Sequence, residues 1–187
     1  MRGAVAIGVV ARTGSAVAVA LSGTVSAPRF LARREIELVP PGLDRQPYHA
    51  AAGLSLAAAG DLVAEVESAA ERSAAVGLLA LAGRLPADSV RAVAVVVKPV
   101  SAPGDLAGIL RSHAWMHAAE GALYRQAVLA AATGCGWRAS AVEQAGLPAA
   151  ERAIAALGQV AGRPWRRLEK DAARAALTLL TVGEPWS

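Results

Sequence analysis

Lysine, histidine, cysteine and aromatic residues are all scarce in this chain of 187 residues. The one cysteine, Cys135, excludes an intrachain disulfide framework, and a reducing cytoplasm is the expected compartment. Long apolar runs are missing too. The best of them, around residues 74–83, stops at Arg84, short of the roughly 18 residues a membrane span needs. Residues 4–10 are apolar, but Arg12 closes the run and no A-x-A-like cleavage site follows, so no secretory signal is expected. Charged residues make up only 18% against 55% apolar, which excludes a disordered or solvating chain. Lys98 and Lys170 are the only lysines beside 17 arginines, and the net charge is +4. That weak basic balance suits a nucleic-acid partner, and it equally suits a plain compositional bias. What the chain has in excess is alanine, 47 residues. The length suits one domain spanning residues 1–187.

The order of elements can be read from the hydrophobic pattern. Residues 4–10 form a continuous valine-rich run, a buried strand. Arg12, Thr13 and Gly14 supply a turn, and residues 15–21 return as the second strand of a hairpin. Residues 30–39 follow as a third strand, where Glu35, Ile36, Glu37 and Leu38 alternate as on a half-exposed edge. Pro40, Pro41 and Gly42 end it, and residues 43–53 read as an irregular polar loop. Helical periodicity covers residues 56–85, with Leu62, Val66, Ala69 and Ala70 on one face. Residues 90–97, the most β-branched run in the chain, should be a strand near the sheet centre, covered on both sides. A long helix over 105–132 capped by Gly134, a fifth strand over 137–142 and helices over 148–160 and 165–182 complete the chain. The fold class is therefore α/β, a five-stranded mixed sheet in the order β-β-β-α-β-α-β-α.

This order resembles the ribonuclease H-like superfamily, and its layout is similar to RuvC-type Holliday-junction resolvases. Ile7-Gly8, the turn, and residues 15–19 look like the family's first hairpin; residues 93–97 look like its fourth strand; Asp171-Ala172-Ala173 looks like the opening of its last helix. The resemblance implies nuclease chemistry in which carboxylates on the first strand, the fourth strand and the last helix hold two Mg²⁺ ions. This chain departs from that pattern. Residues 4–10 carry no acid, and Lys98 stands where the fourth strand should end in one. Only Glu169 or Asp171 matches a family carboxylate, and one carboxylate cannot hold two such cations. The resemblance thus implies the fold, and a nucleic-acid partner, without the two-metal activity. The acidic, glycine-rich phosphate motif of the actin-like kinases and ATPases of the same superfamily is missing from the first hairpin as well.

The residues that suit chemistry lie elsewhere. His113, His117, Glu120 and Tyr124 fall on one stripe of the long helix, within about 60° of one another at 100° per residue. Imidazoles one turn apart suit a shared divalent transition metal, with Glu120 either as third ligand or as the group that fixes a histidine tautomer. Tyr124 offers a hydrogen bond or an acid. His49, in the polar loop after the third strand, completes the histidines if that loop folds over the helix. The catalytic candidates are therefore His113, His117, Glu120, Tyr124 and His49, and the metal candidates His113, His117 and Glu120. The same stripe also suits polar packing against the body of the protein. Arg163, Trp165, Arg166 and Arg167 pair a ring with three cations, a combination that grips phosphates and stacks on bases; the alternative, which local pattern favours, is a helix start with solvated arginines anchored by Trp165. Cys135, between two glycines, is either a reactive thiol or packing. Three functions stay open: a divergent ribonuclease H-like protein with nucleic-acid association, an enzyme using the histidine stripe on a small substrate, and an assembly protein.

Overall fold

A computed structural model describes residues 4–86, 89–99 and 103–180. Its sheet has five strands, β1 (Val5–Arg12), β2 (Ser15–Gly23), β3 (Pro28–Glu37), β4 (Val90–Val97) and β5 (Arg138–Glu143), in the spatial order β3-β2-β1-β4-β5. β2 is antiparallel to β1 and to β3, while β4 is parallel to β1 and to β5. Four strands therefore point the same way, and only β2 runs against them. The helices are α1 (Pro47–Ala50), α2 (Leu56–Ala82), α3 (Leu106–Leu110), α4 (His113–Gly134), α5 (Glu151–Ala161) and α6 (Arg167–Leu180). Among the described residues, no helix is long and apolar enough to cross a membrane.

Alternation along the inner strands divides the core in two. Val5, Ile7, Val9, Val93 and Val95 join the cluster built with α2 and α4, whereas Ala6, Ala92, Ala94 and Val96 join the cluster built with α5 and α6. The alanine surplus has a use on the second face. Ala172, Ala173, Ala175 and Ala176 of α6 are fully buried against small residues of the sheet. The approach is so close that a Cβ built on Gly8 would lie 1.8 Å from the carbonyl oxygen of Ala172.

Three details differ from the sequence reading. Residues 43–53 are not wholly irregular, because Pro47, buried at the first position of α1, starts one helical turn with its fixed φ. The long helix is two helices, broken around Arg111 and Ser112. Asp105 caps α3 by accepting the Gly108 N–H at 2.7 Å, and Ser112 has extended backbone immediately before α4. At the far end of α4 the left-handed residue is Gly136 (φ +77°), not Gly134, which closes the helix itself. Residues 181–182 of the expected last helix lie outside the described residues.

Strand directions decide where the site lies. The hairpin turn after β1, the segment after β3 that contains α1, and the segment after β4 that leads into α3 and α4 all leave the carboxyl ends of co-directional strands. The Leu38 N–H donates to the Gly14 carbonyl at 2.9 Å, joining two of these segments. This is the end of an open α/β sheet at which ligands characteristically bind.

Candidate functional site

At this end, α1 is docked onto α4 by short-range chemistry. Asp44 Oδ1 accepts the Gln46 N–H at 2.8 Å, shaping the turn that precedes Pro47. Tyr124 donates its hydroxyl to the Arg45 carbonyl at 2.6 Å. The stem of Arg45 lies over Gly14, whose positive φ (+74°) and missing Cβ leave it the room. The loop so held delivers His49 to the stripe on α4.

The three histidines then meet. His49 Nε2 lies 3.0 Å from His113 Nδ1, and His113 Nε2 lies 3.0 Å from His117 Nε2. Their ring centroids are 4.4 to 4.7 Å apart, with His113 edge-on to both others. Beneath them is Glu120, fully buried. Its Oε1 takes His49 Nδ1 at 2.7 Å, while its Oε2 lies 3.6 Å from His117 Nδ1 and has no hydrogen-bond partner. The stripe thus changes character along its length: His113 and His117 are exposed, and Glu120 and Tyr124 are buried. It does not simply face the body of the protein, because the break before α4 puts His113 at the helix's first residue.

Tyr124 holds the loop through its hydroxyl. Its hydroxyl is committed to the Arg45 carbonyl, and burial, reinforced by the charges of Glu120 and Asp44 against the opposing pull of Arg45, pushes its pKa up to about 12. A testable consequence follows from the sign of that shift. Between about pH 10 and 12 an unfolded chain loses the phenol proton and the folded chain keeps it. The contribution is complete below pH 10 and disappears as the pH rises through 12. Urea midpoints at pH 9 and pH 11.5 should show a loss of about 2 kcal/mol that Tyr124→Phe lacks. Tyr48 is raised as well, by burial and by Glu67 and Glu120, and both proteins keep it, so the comparison isolates Tyr124. Equal pH slopes for the two would sink this assignment.

The arginine-rich segment lies at the same end of the sheet on the opposite face. Arg12, Glu35, Arg166, Arg167 and Glu169 line a cavity of about 210 Å³ there, beside the carboxyl end of β1. Arg163, Arg166 and Arg167 are exposed. Trp165 is partly buried against the second core cluster and gives its N–H to the Ile154 carbonyl at 3.1 Å. An unanticipated clasp holds this segment: Arg33 of the edge strand donates to the carbonyls of Gly162, Arg163 and Pro164. Nothing in the local pattern of β3 distinguishes Arg33 from its neighbours Arg29 and Arg34. Cys135 is half-buried at the end of α4, and burial pushes its thiol up, away from the reactive thiolate.

The two acids of the last helix already have partners. Glu169 Oε2 accepts the Arg166 N–H at 2.9 Å, satisfying a donor at the start of α6. Asp171 pairs with Arg174 at 3.1 Å and with Arg167 at 3.6 Å. Neither β1 nor β4 carries a carboxylate, and Lys98, just beyond β4, is exposed.

No protein-family model and no curated protein matches the sequence. Solved structures do. RuvC of Thermus thermophilus, determined in complex with a Holliday-junction substrate, superposes with a TM-score of 0.56 at 16% identity, over 94% of this chain and 91% of that one. A further Thermus thermophilus RuvC structure aligns over 93% and 92% of the two chains at 19% identity, with a TM-score of 0.46. The chain has the ribonuclease H-like fold, in the arrangement seen in RuvC.

Proposed function

We propose that the chain is a nucleic-acid-associated protein acting as one domain, whose chemistry lies in the pocket of His49, His113, His117 and Glu120 and not in paired carboxylates holding two Mg²⁺ ions. One observation carries this reading. All three histidines of the chain, drawn from two separate segments, converge over a buried carboxylate at the carboxyl end of the sheet. Such convergence in a chain so poor in histidine defines a chemical site more sharply than do the partnered acids of α6. The nucleic-acid part is supported by the exposed Arg163, Arg166 and Arg167, the cavity that Arg166 and Arg167 line, and the likeness to a RuvC bound to a junction.

Gel shifts with branched, duplex and single-stranded DNA and with RNA test it at low salt. Micromolar protein should retard at least one of these, and Arg166→Ala with Arg167→Ala should weaken binding across sequences, as loss of phosphate contacts does. Absence of any shift at micromolar protein overturns the nucleic-acid part. The exposure of His113 and His117 favours a second reading, an enzyme that uses the pocket on a small substrate. Turnover in a hydrolase screen that His117→Ala abolishes, without any gel shift, would select it.

A further inference from the structure

The histidine pocket has an unsatisfied atom whose position says what the pocket takes. Taken as neutral rings, three imidazoles bring one N–H each. The three short contacts use all of them: His49 Nδ1 gives its proton to Glu120 Oε1, His113 Nδ1 to His49 Nε2, and His117 Nε2 to His113 Nε2. This leaves the lone pair of His117 Nδ1 facing Glu120 Oε2. The two acceptors stand 3.6 Å apart, and Oε2 is buried without a partner. Burying an acceptor unpaired is unfavourable.

We propose that His49, His113 and His117 are the ligands of one divalent transition-metal ion of the zinc type, and that Glu120 is a positioning residue outside the ligand set. This rests on the reading that the pocket is the working site, and it names that site's cofactor. A cation among the three rings moves the proton of His117 from Nε2 to Nδ1, where it donates to Oε2, so the orphaned oxygen gains its partner. Glu120 then holds two imidazoles by their Nδ1–H groups and leaves both Nε2 atoms free for the metal. A buried carboxylate orienting ligating histidines in this way is a recurrent feature of zinc centres.

The distances agree. One donor nitrogen from each histidine lies within 4.8 Å of the others, and His113 reaches His49 through Nδ1 and His117 through Nε2, each at 3.0 Å. Tetrahedral ligation at about 2.0–2.1 Å sets nitrogens roughly 3.3 Å apart, so modest side-chain rotation suffices. His113, which presents the edge bearing both its nitrogens, turns one of them inward. A set of three imidazoles selects zinc, cobalt, nickel or copper over magnesium. Because His113 and His117 are exposed, the coordination sphere stays open on the solvent side, as in sites that bind water or a substrate as fourth ligand.

Full-length protein, freed of metal with a chelator, is titrated calorimetrically with ZnCl₂, CoCl₂ and MgCl₂. Zinc and cobalt should each bind at one ion per chain, cobalt should give the intense visible bands of a tetrahedral site, and magnesium should give no heat. His49→Ala, His113→Ala and His117→Ala should each weaken zinc binding by at least ~100-fold, whereas Glu120→Gln should weaken it by about 10- to 100-fold and keep the cobalt bands. Circular dichroism checks each fold, and asparagine replaces any alanine variant that does not fold. Absence of zinc and cobalt heats in the wild type overturns the site, as does unchanged affinity in His49→Ala. Loss of the tetrahedral cobalt spectrum in folded Glu120→Gln would place that carboxylate among the ligands and overturn its positioning role. Gel shifts and hydrolase assays on the same samples separate the two proposals. A pocket variant that alters either readout in protein that binds no metal sinks the metal site and leaves the pocket standing.

Discussion

Replacing Gly8 with alanine should lower the melting temperature by roughly 10 °C. The added Cβ would stand 1.8 Å from the Ala172 carbonyl oxygen and 2.5 Å from the Ala176 nitrogen. Both are backbone atoms in the middle of α6, so no side chain can turn aside, and the helix must lift off the sheet. Overpacking usually costs 1–3 kcal/mol, and a contact with rigid backbone belongs at or above the upper end. For a chain of this size, about 3 kcal/mol corresponds to roughly 6–12 °C. Lifting α6 also withdraws Arg166, Arg167 and Glu169 from the carboxyl end of β1, so the cavity they share with Arg12 should open. Gly77→Ala is the informative companion. Its Cβ would come within 2.3 Å of Ile36 Cγ2, a side-chain atom, so Gly77→Ala should cost less in an Ile36→Ala background, which lacks that atom. Gly134→Ala, with nothing within 4 Å of its Cβ, is the control and should not destabilise. A Gly8→Ala protein melting within about 2 °C of wild type would contradict so close a seating of α6.

That contact also shows where sequence reading stops. β1, β2 and β4 could be read because they are largely apolar and rich in valine, and β3 because Glu35 and Glu37 alternate with Ile36 and Leu38. The break between α3 and α4 could not. Leu106, Ile109 and Leu110 continue the apolar period of α4, so the pattern runs straight through a change of direction. The only local signals are two capping residues, Asp105 and Ser112, and Ser112 makes no capping bond through its side chain. The site was legible in the same proportion. Helical spacing aligns His113, His117, Glu120 and Tyr124 without knowledge of the fold. Spacing cannot rank a carboxylate on the same helix against an imidazole 64 residues away. That ordering depends on Tyr124 holding Arg45 across 79 residues, a tertiary fact.

Trp165 is where composition and packing point in different directions, and its replacement should have the second large effect. Beside three arginines an indole suggests a platform for bases. In the fold its ring lies where a Cβ on Gly158 would come within 2.5 Å of it, and it meets Phe30 edge-on at 6.1 Å. Its N–H is given to the Ile154 carbonyl. Trp165→Ala removes all three contacts beside a glycine that cannot fill the gap. Such truncations cost about 3–5 kcal/mol, and the low end suits a partly buried ring. Trp165→Phe keeps part of the packing and loses the hydrogen bond, so it should cost about 1 kcal/mol. Exposed Arg166 and Arg167 should behave in the opposite way: their replacement by alanine should change stability by no more than ~0.5 kcal/mol while weakening nucleic-acid binding. Measured well below its melting temperature, Trp165→Ala should bind nucleic acid as the wild type does. A folded Trp165→Ala protein that loses affinity for single strands but not for duplexes would show the ring stacking on bases. In that event the indole must leave its seat against Gly158 when nucleic acid binds, and the melting temperature of the complex would fall more on mutation than that of the free protein, because the lost affinity adds to the lost packing.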